Sequence, residues 1–187
     1  MDRELDDIHL GRRRFLGIGF VAAAALAPVP GWAKASPRQE RALSLLHAHT
    51  GERLNTVYYA NGRYIPSALK QINYILRDYR INEIKPVSPQ LLDLLYALGG
   101  RLGTGGAFEV LSGYRSAETN ALLGQRNRGV AKHSLHIEAK AIDIMVPGVG
   151  AREVARVARD MRGGGVGYYP RHSFVHVDIG DIRTWTA

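Results

Sequence analysis

The chain has 187 residues, no cysteine, and 25 lysines and arginines against 17 aspartates and glutamates, which gives a net charge of +8. This length suits one domain with at most a small appendage. With 45% hydrophobic and 22% charged residues, the composition excludes disordered, collagen-like and coiled-coil chains. The absence of cysteine excludes disulfide scaffolds, cysteine-ligated metals and thiol nucleophiles. Any metal must therefore be held by histidine, aspartate or glutamate.

The first 35 residues have the parts of an export signal. Three arginines, Arg12 to Arg14, precede an apolar run from Phe15 to about Ala27, and small residues follow. The run is shorter than the ~20 residues of a membrane span, and this order of segments is typical of a secretory signal. The adjacent arginines predict the twin-arginine route. We therefore expect residues 1–35 to be removed and residues 36–187 to form one periplasmic domain without stable membrane insertion; the alternative is an anchoring helix that stays in place.

The excess of positive charge indicates an anionic partner. An exported basic protein is drawn to anionic polymers such as the cell wall. The basic residues are scattered along the chain and no nucleic-acid-binding motif accompanies them, which argues against nucleic acid as a partner. The charge and the export signal therefore favour an anionic polymer outside the cytoplasm, such as cell wall or lipid head groups.

The elements predicted first are two strands and two helices. Residues 42–47 are compatible with a helical turn or a strand, and residues 54–60 with a strand that ends in an Asn61-Gly62 hairpin turn. Ser67 is expected to cap a helix that runs to about Tyr79. A second helix is expected from Pro89 to Leu98, where Gly99-Gly100 would end it.

The second half of the chain is richer in strands. Its predicted elements are a strand at 108–112, a short helix at 117–123, a strand at 141–146, a helix at 151–161, and strands near 166–169 and 174–179. This distribution predicts an α+β domain with a mostly antiparallel sheet flanked by helices. The glycine-rich stretch 99–106 follows a helix and lacks Gly-Lys-Ser/Thr, so it is interpreted as a connection rather than a phosphate loop.

Two short segments carry the residues that suggest chemistry. In the first, His136 precedes a predicted strand in which Asp143 interrupts an apolar run, and burying that carboxylate is costly unless a cation neutralises it. In the second, His176 and Asp178 lie two residues apart on a strand and so point to one face. Two imidazoles and one carboxylate suit a zinc site with an open fourth position, where the pKa of bound water falls toward ~7. The alternative is that hydrogen bonds or solvent satisfy each side chain separately.

The residues from Ser112 to Trp185 resemble the zinc D-Ala-D-Ala carboxypeptidase/hedgehog-type peptidases. The signature S-x-H-x-x-G-x-A-x-D of that family is matched from Ser134 to Asp143 at every fixed position except the glycine, and a strand histidine follows. The chain resembles the murein endopeptidase K group more closely, on the motifs Ser-Gly-Tyr-Arg-Ser at 112–116, Gly-Gly-Val-Gly-Tyr-Tyr-Pro at 164–170, Phe-Val-His-Val-Asp-Ile-Gly at 174–180 and His-Thr-Gly-Glu at 49–52.

The resemblance implies roles for individual residues. Its zinc ligands match His136, Asp143 and His176. Ser134 matches the signature serine, which would support the site from behind the ligands. Arg115 matches the arginine that binds substrate and stabilises the developing oxyanion; a solvent-facing turn residue is the alternative.

The sequence departs from the family pattern at two positions. Ala139 replaces the signature glycine, which would strain a turn that needs a positive φ. Ser173 stands where many relatives have an acidic general base, and serine does not accept a proton at neutral pH. Asp178 is the first candidate for the base or for a residue that orients the site. The alternatives are the loop histidines His172 and His133.

These features predict an exported zinc metallopeptidase that cuts peptide bonds in peptidoglycan, most specifically an endopeptidase of stem-peptide cross-links. One alternative is a peptidoglycan-binding module without catalysis. The other is a zinc D,D- or L,D-carboxypeptidase.

Overall fold

In the part of the chain that the computed structural model describes, residues 40–126 and 130–187, eight strands form one mixed sheet. Its strands are β1 (Arg41–His47), β2 (Arg53–Ala60), β3 (Arg63–Tyr64), β4 (Ala107–Ser112), β5 (Ala141–Met145), β6 (Gly165–Tyr169), β7 (Phe174–Asp178) and β8 (Arg183–Thr186). The strand order is β3-β2-β1-β4-β5-β7-β6-β8, and only β1–β4 and β6–β8 pair in parallel. The predicted α+β class with a mostly antiparallel sheet is confirmed. The predicted export signal, residues 1–35, lies outside the described residues.

Four α-helices accompany the sheet in the described residues: α1 (Pro66–Ile75), α2 (Pro89–Leu102), α3 (Ala117–Arg126) and α4 (Ala151–Met161). None of them is both long and apolar enough to cross a bilayer. The Asn61-Gly62 turn joins β2 to β3 with φ angles of 55° and 79°. Both angles are positive, as a tight hairpin turn requires.

The predicted boundaries of the first two helices were wrong. Helix α1 has Ile65 at its N-cap and no capping side chain, so Ser67 lies inside the helix, which ends before the predicted boundary. Helix α2 continues through Gly99-Gly100 and ends at Gly103. A Cβ at Gly99 would lie 2.7 Å from the Cα of Gly106, so glycine stands here because the following loop packs against the helix.

Strands β5 and β7 place apolar side chains in the core and polar side chains on the opposite face. Helices α2 and α4 pack on each other, α2 against β1 and α4 against β6 and β7. The buried core contains Ile142 and Ile144 of β5 and Val175 and Val177 of β7. Because side chains alternate along a strand, the intervening residues of β5 and β7 point to the opposite face.

Candidate metal centre and active site

The two predicted half-sites meet on paired strands. Asp143 of β5 lies directly opposite His176 of β7 in the antiparallel register. The third side chain, His136, comes from the turn at 135–139 that precedes β5. The pairing of β5 with β7 therefore fixes the distance between Asp143 and His176, independently of the turn that carries His136.

The three side chains converge through one atom each. Nδ1 of His176 lies 2.9 Å from Oδ1 of Asp143, Nε2 of His136 lies 3.3 Å from the same oxygen, and the two ring nitrogens are 3.2 Å apart. This is the one group of three or more His, Asp or Glu side chains within the described ranges that could hold a metal ion. His136 and His176 are buried, and Asp143 is partly exposed. The arrangement is therefore a candidate metal centre with an open side.

The remaining nitrogen of each imidazole already has a partner. Nδ1 of His136 lies 2.7 Å from the carbonyl oxygen of Gly113, and Nε2 of His176 lies 2.9 Å from Oδ2 of Asp178. A carbonyl and a carboxylate only accept, so each of these ring nitrogens carries the proton. The tautomers leave Nε2 of His136 and Nδ1 of His176 free to bind a metal, as outer hydrogen bonds do in metal sites.

Gly113 brings the turn after β4 close to the end of α1. A Cβ at this position would lie 2.5 Å from the carbonyl oxygen of Leu76. The amide of Tyr114 donates to that same oxygen at 2.7 Å. The absence of a side chain therefore lets the turn seat against residue 76 and aim the Gly113 carbonyl at His136.

Asp178 is a fully buried carboxylate surrounded by donors. Its Oδ1 accepts from the amides of Gly165 and Gly180 and from Nη1 of Arg183, at 2.9–3.1 Å. Its Oδ2 accepts from Nη2 of Arg183 at 2.7 Å, in addition to His176. The group lies behind His176, on the side of the ring away from Asp143 and His136. This placement favours the orienting role over the role of base.

Burial and charge act in opposite directions on these groups. Burial raises the pKa of Asp178, but His176, the Gly180 amide and Arg183 more than offset it and hold the pKa well below its usual range. Burial also raises the pKa of Asp143, and the adjacent His136 and His176 reverse this effect strongly. For His176, burial lowers the pKa, yet Asp143 and Asp178 raise it to about 9. Both carboxylates are therefore anionic, and they favour a positive charge at the His176 position, either an imidazolium or a bound metal ion.

Arg115 is buried beside the candidate metal centre. Its side chain lines the same cleft, its amide donates to the His136 carbonyl at 3.2 Å, and the residue is 8% exposed. Its Nε has no hydrogen-bond partner among the described residues. Burial lowers the pKa of Arg115, but a guanidinium remains charged at neutral pH. A buried cation with an unused donor is suited to an anionic ligand or oxyanion.

The cleft over the three convergent side chains has a volume of about 510 Å³. Both loop histidines named as alternative bases, His133 and His172, line it. Ser173 and Asp178 do not line it. Ser173 is exposed, with φ of 56° at the end of the short 3-10 helix Pro170–His172. The residue at the usual position of the acidic base therefore does not line the cleft in this chain.

Two further residues from the signature shape the turn that carries His136. Ser134 lines the cleft, and its Oγ accepts from the His136 amide at 3.4 Å. Ala139 is 1% exposed and has φ of 53°. Ala139 thus adopts the left-handed conformation that glycine adopts most readily. This is the turn with a positive φ that was expected at the signature glycine.

Sequence reasoning missed the contribution of β8. Arg183 pairs with Asp178, and Trp185 lies with its ring 5.2 Å from that of His176 and donates through Nε1 to the Tyr169 hydroxyl at 3.1 Å. Trp185 also lines the cleft. The alternating Arg183-Thr184-Trp185-Thr186 pattern is a weak strand signal, and only its pairing with β6 reveals its role.

The comparisons with known proteins identify the family of this chain. The family model described as peptidoglycan L,D-endopeptidase MepK matches residues 35–185. The chain is 43% identical over 182 residues to the "Peptidoglycan L,D-endopeptidase MepK" of Escherichia coli (strain K12), covering 97% of this chain and 100% of that protein. It is 40% identical over 180 residues to the "Probable peptidoglycan L,D-endopeptidase MepK" of Haemophilus influenzae (strain ATCC 51907 / DSM 11121 / KW20 / Rd), covering 95% and 97%. No solved structure gives a significant match. The resemblance found in the sequence is confirmed, and the chain belongs to the MepK family of peptidoglycan L,D-endopeptidases.

Proposed function

We propose that this chain is an exported, zinc-dependent endopeptidase that cuts a bond between an L- and a D-configured residue in peptidoglycan stem-peptide cross-links. The observation that carries the proposal is the convergence of His136, Asp143 and His176 on one point beside the buried cation Arg115. Its relatives are named for peptidoglycan, a polymer outside the cytoplasm. That location fits the predicted export signal and a periplasmic site of action.

The donor set fits zinc. Around a tetrahedral ion with bonds of ~2.0–2.1 Å, ligand atoms lie roughly 3.3 Å apart, and the three donor atoms of this site are 2.9–3.3 Å apart. Two imidazoles and one carboxylate also leave the fourth position open, as in catalytic zinc sites. When bound, zinc polarises a carbonyl and lowers the pKa of water.

The residues of the chain perform the other tasks. The Arg115 guanidinium binds the substrate and stabilises the negative charge that develops on the peptide oxygen. Asp178 and the Gly113 carbonyl hold the two imidazoles in orientation and tautomer. Ser134 supports the turn that carries His136. A histidine lining the open side of the cleft, His133 or His172, accepts a proton from the attacking water and delivers it to the leaving amine.

Alanine variants of the two cleft histidines identify the base. We expect one of His133→Ala and His172→Ala to lower kcat by about 10²–10⁴-fold, the usual contribution of general acid–base catalysis. The other variant is expected to lose less than about tenfold. Losses below tenfold in both would reject a histidine base.

The change Asp178→Asn tests the orienting role. An amide leaves His176 without its anionic acceptor, and outer-partner changes of this kind lower activity or metal affinity about 10–100-fold. We expect turnover to fall by this factor while zinc content at saturating zinc stays near that of the wild type. The exposed Asp181→Asn variant is the matched control, since only the backbone of Asp181 contacts Arg183. Loss of zinc in step with turnover would instead make Asp178 a metal ligand.

The function itself is tested with the protein lacking residues 1–35, purified intact sacculi and metal analysis. Monomers released from cross-linked dimers, loss of release with a chelator, and recovery with zinc are the expected results. Loss of only a terminal alanine would identify a carboxypeptidase. Co-sedimentation with sacculi without any product would identify a binding module.

A further inference from the structure

A loop next to the cleft is held rigidly although no step of the proposed reaction uses it. This loop, residues 77–83, is fixed at its start by Arg77, whose Nη1 and Nη2 donate to Glu52 at 2.9 and 3.2 Å and whose Nε donates to Asn82 at 2.6 Å. Glu52 belongs to the His-Thr-Gly-Glu motif at 49–52, one of the motifs shared with the murein endopeptidase K group. Arg77 therefore links this loop to the turn after β1 and also links the start of the loop to its end.

A buried carboxylate joins the same loop to the turn that carries Arg115. Asp78 is 1% exposed, its Oδ1 accepts from the Arg80 amide at 3.2 Å, and its Oδ2 accepts from the Ser116 amide at 3.0 Å. One carboxylate therefore holds the backbone at position 80 and the backbone directly after Arg115. The topology agrees, because β1 and β4 run parallel and the segments that follow them emerge at one edge of the sheet.

The side chain of Arg80 is exposed and available. Its Cζ lies 4.4 Å from the centre of the Tyr79 ring, a contact that orients the guanidinium. No acidic side chain of the described ranges forms an ion pair with it. Its positive charge contributes to lowering the pKa of Arg115, after burial itself, so the two guanidinium groups sense each other. Arg80 does not line the cleft itself, and its backbone is linked through Asp78 to the residue that follows Arg115.

We propose that Arg80, positioned by Asp78 and Tyr79, forms a carboxylate-binding subsite that continues the cleft beyond Arg115. The inference rests on the proposed function, because a cross-linked stem peptide is long enough to extend past the cleft and carries free carboxylates. A guanidinium presents a planar fork that matches a carboxylate. A carboxylate bound by Arg80 would also offset the repulsion between its charge and that of Arg115. The subsite selects cross-linked peptides with a free carboxylate over amidated ones.

Binding measurements on a pair of ligands test this subsite directly. The probe is an uncleavable stem-peptide dimer, with a ketomethylene group in place of the scissile amide, prepared as the free acid and as the amide. By calorimetry, the zinc-loaded wild type is expected to bind the acid about five- to tenfold more tightly, the scale of one charge-assisted contact. Arg80→Gln should reduce this preference to about twofold or less, and Arg80→Lys should retain an intermediate preference.

The matched control is Arg63→Gln, which removes an exposed arginine from β3 at the far edge of the sheet and should keep the full preference. An unchanged preference in Arg80→Gln, or an equal loss of affinity for both ligands, would overturn the subsite. Turnover of a cleavable dimer is measured in parallel. Cleavage without discrimination at position 80 would reject the subsite alone, and discrimination without cleavage would reject the endopeptidase function alone.

Discussion

Alanine in place of His136 or His176 is expected to remove the bound metal and lower peptide hydrolysis by at least about 10³-fold. In the proposed site each imidazole supplies one of three donor atoms, and its other nitrogen bonds to Gly113 or Asp178. Removing one donor leaves a site with two ligands, which binds the ion too weakly to retain it. Because catalytic groups that act together fail together, hydrolysis is lost almost completely. Asp143→Asn is expected to behave in the same way, since it also removes the negative charge.

Metal content by mass spectrometry and turnover of cross-linked muropeptides measure this loss. Circular dichroism of each variant checks that the sheet still forms. The matched control for Asp143→Asn is Asp160→Asn on the exposed surface of α4, which should keep both metal and activity. Full zinc content together with full activity in either histidine variant would contradict the ligand assignment.

The change Arg115→Gln is expected to lower kcat by about 10²–10³-fold, the scale of removing one donor from an oxyanion site. The metal should stay bound, because the side chain of Arg115 donates to none of the three ligands. Arg115→Lys keeps the charge but loses the planar fork, so we expect an intermediate loss.

The exposed Arg152→Gln variant on α4 is the control for Arg115. Its kcat is expected to match that of the wild type. A rise in KM with unchanged kcat in Arg115→Gln would mean that the guanidinium binds ground state and transition state equally. That result would remove the oxyanion role and leave a substrate anchor.

The sequence was sufficient where local pattern and final structure agree. The Asn61-Gly62 hairpin, the strand of Asp143 and helix α4 follow from turn chemistry and from periods of two and 3.6 residues. It was insufficient where distant contacts decide. Gly99 was interpreted as a helix end, although it lies inside α2 and is glycine because Gly106 packs closely against it. No local pattern predicts the course of the loop that brings Gly106 there.

The residues of the candidate site also differ in how far the sequence alone predicts them. His136, Asp143 and His176 were identifiable because polar residues in apolar or alternating strands need a reason to be there. The groups that hold them were harder to find. Arg183 supports Asp178 from a short, mostly exposed strand, and Asp78 reaches Ser116 across 38 positions of sequence. Such links depend on three-dimensional proximity, and an isolated aspartate or arginine carries no signal of it.

The placement of Asp143 and His176 directly opposite each other on β5 and β7 bears on how far the surrounding loops can change. Backbone hydrogen bonds of the paired strands fix the spacing of these two side chains, so insertions in the loops leave that spacing intact. Altered loops around Arg80, His133 and His172 are therefore expected to change substrate preference without dismantling the pair. A one-residue slip between β5 and β7 would instead place Asp143 and His176 on opposite faces of the sheet, so the pair depends on this strand register.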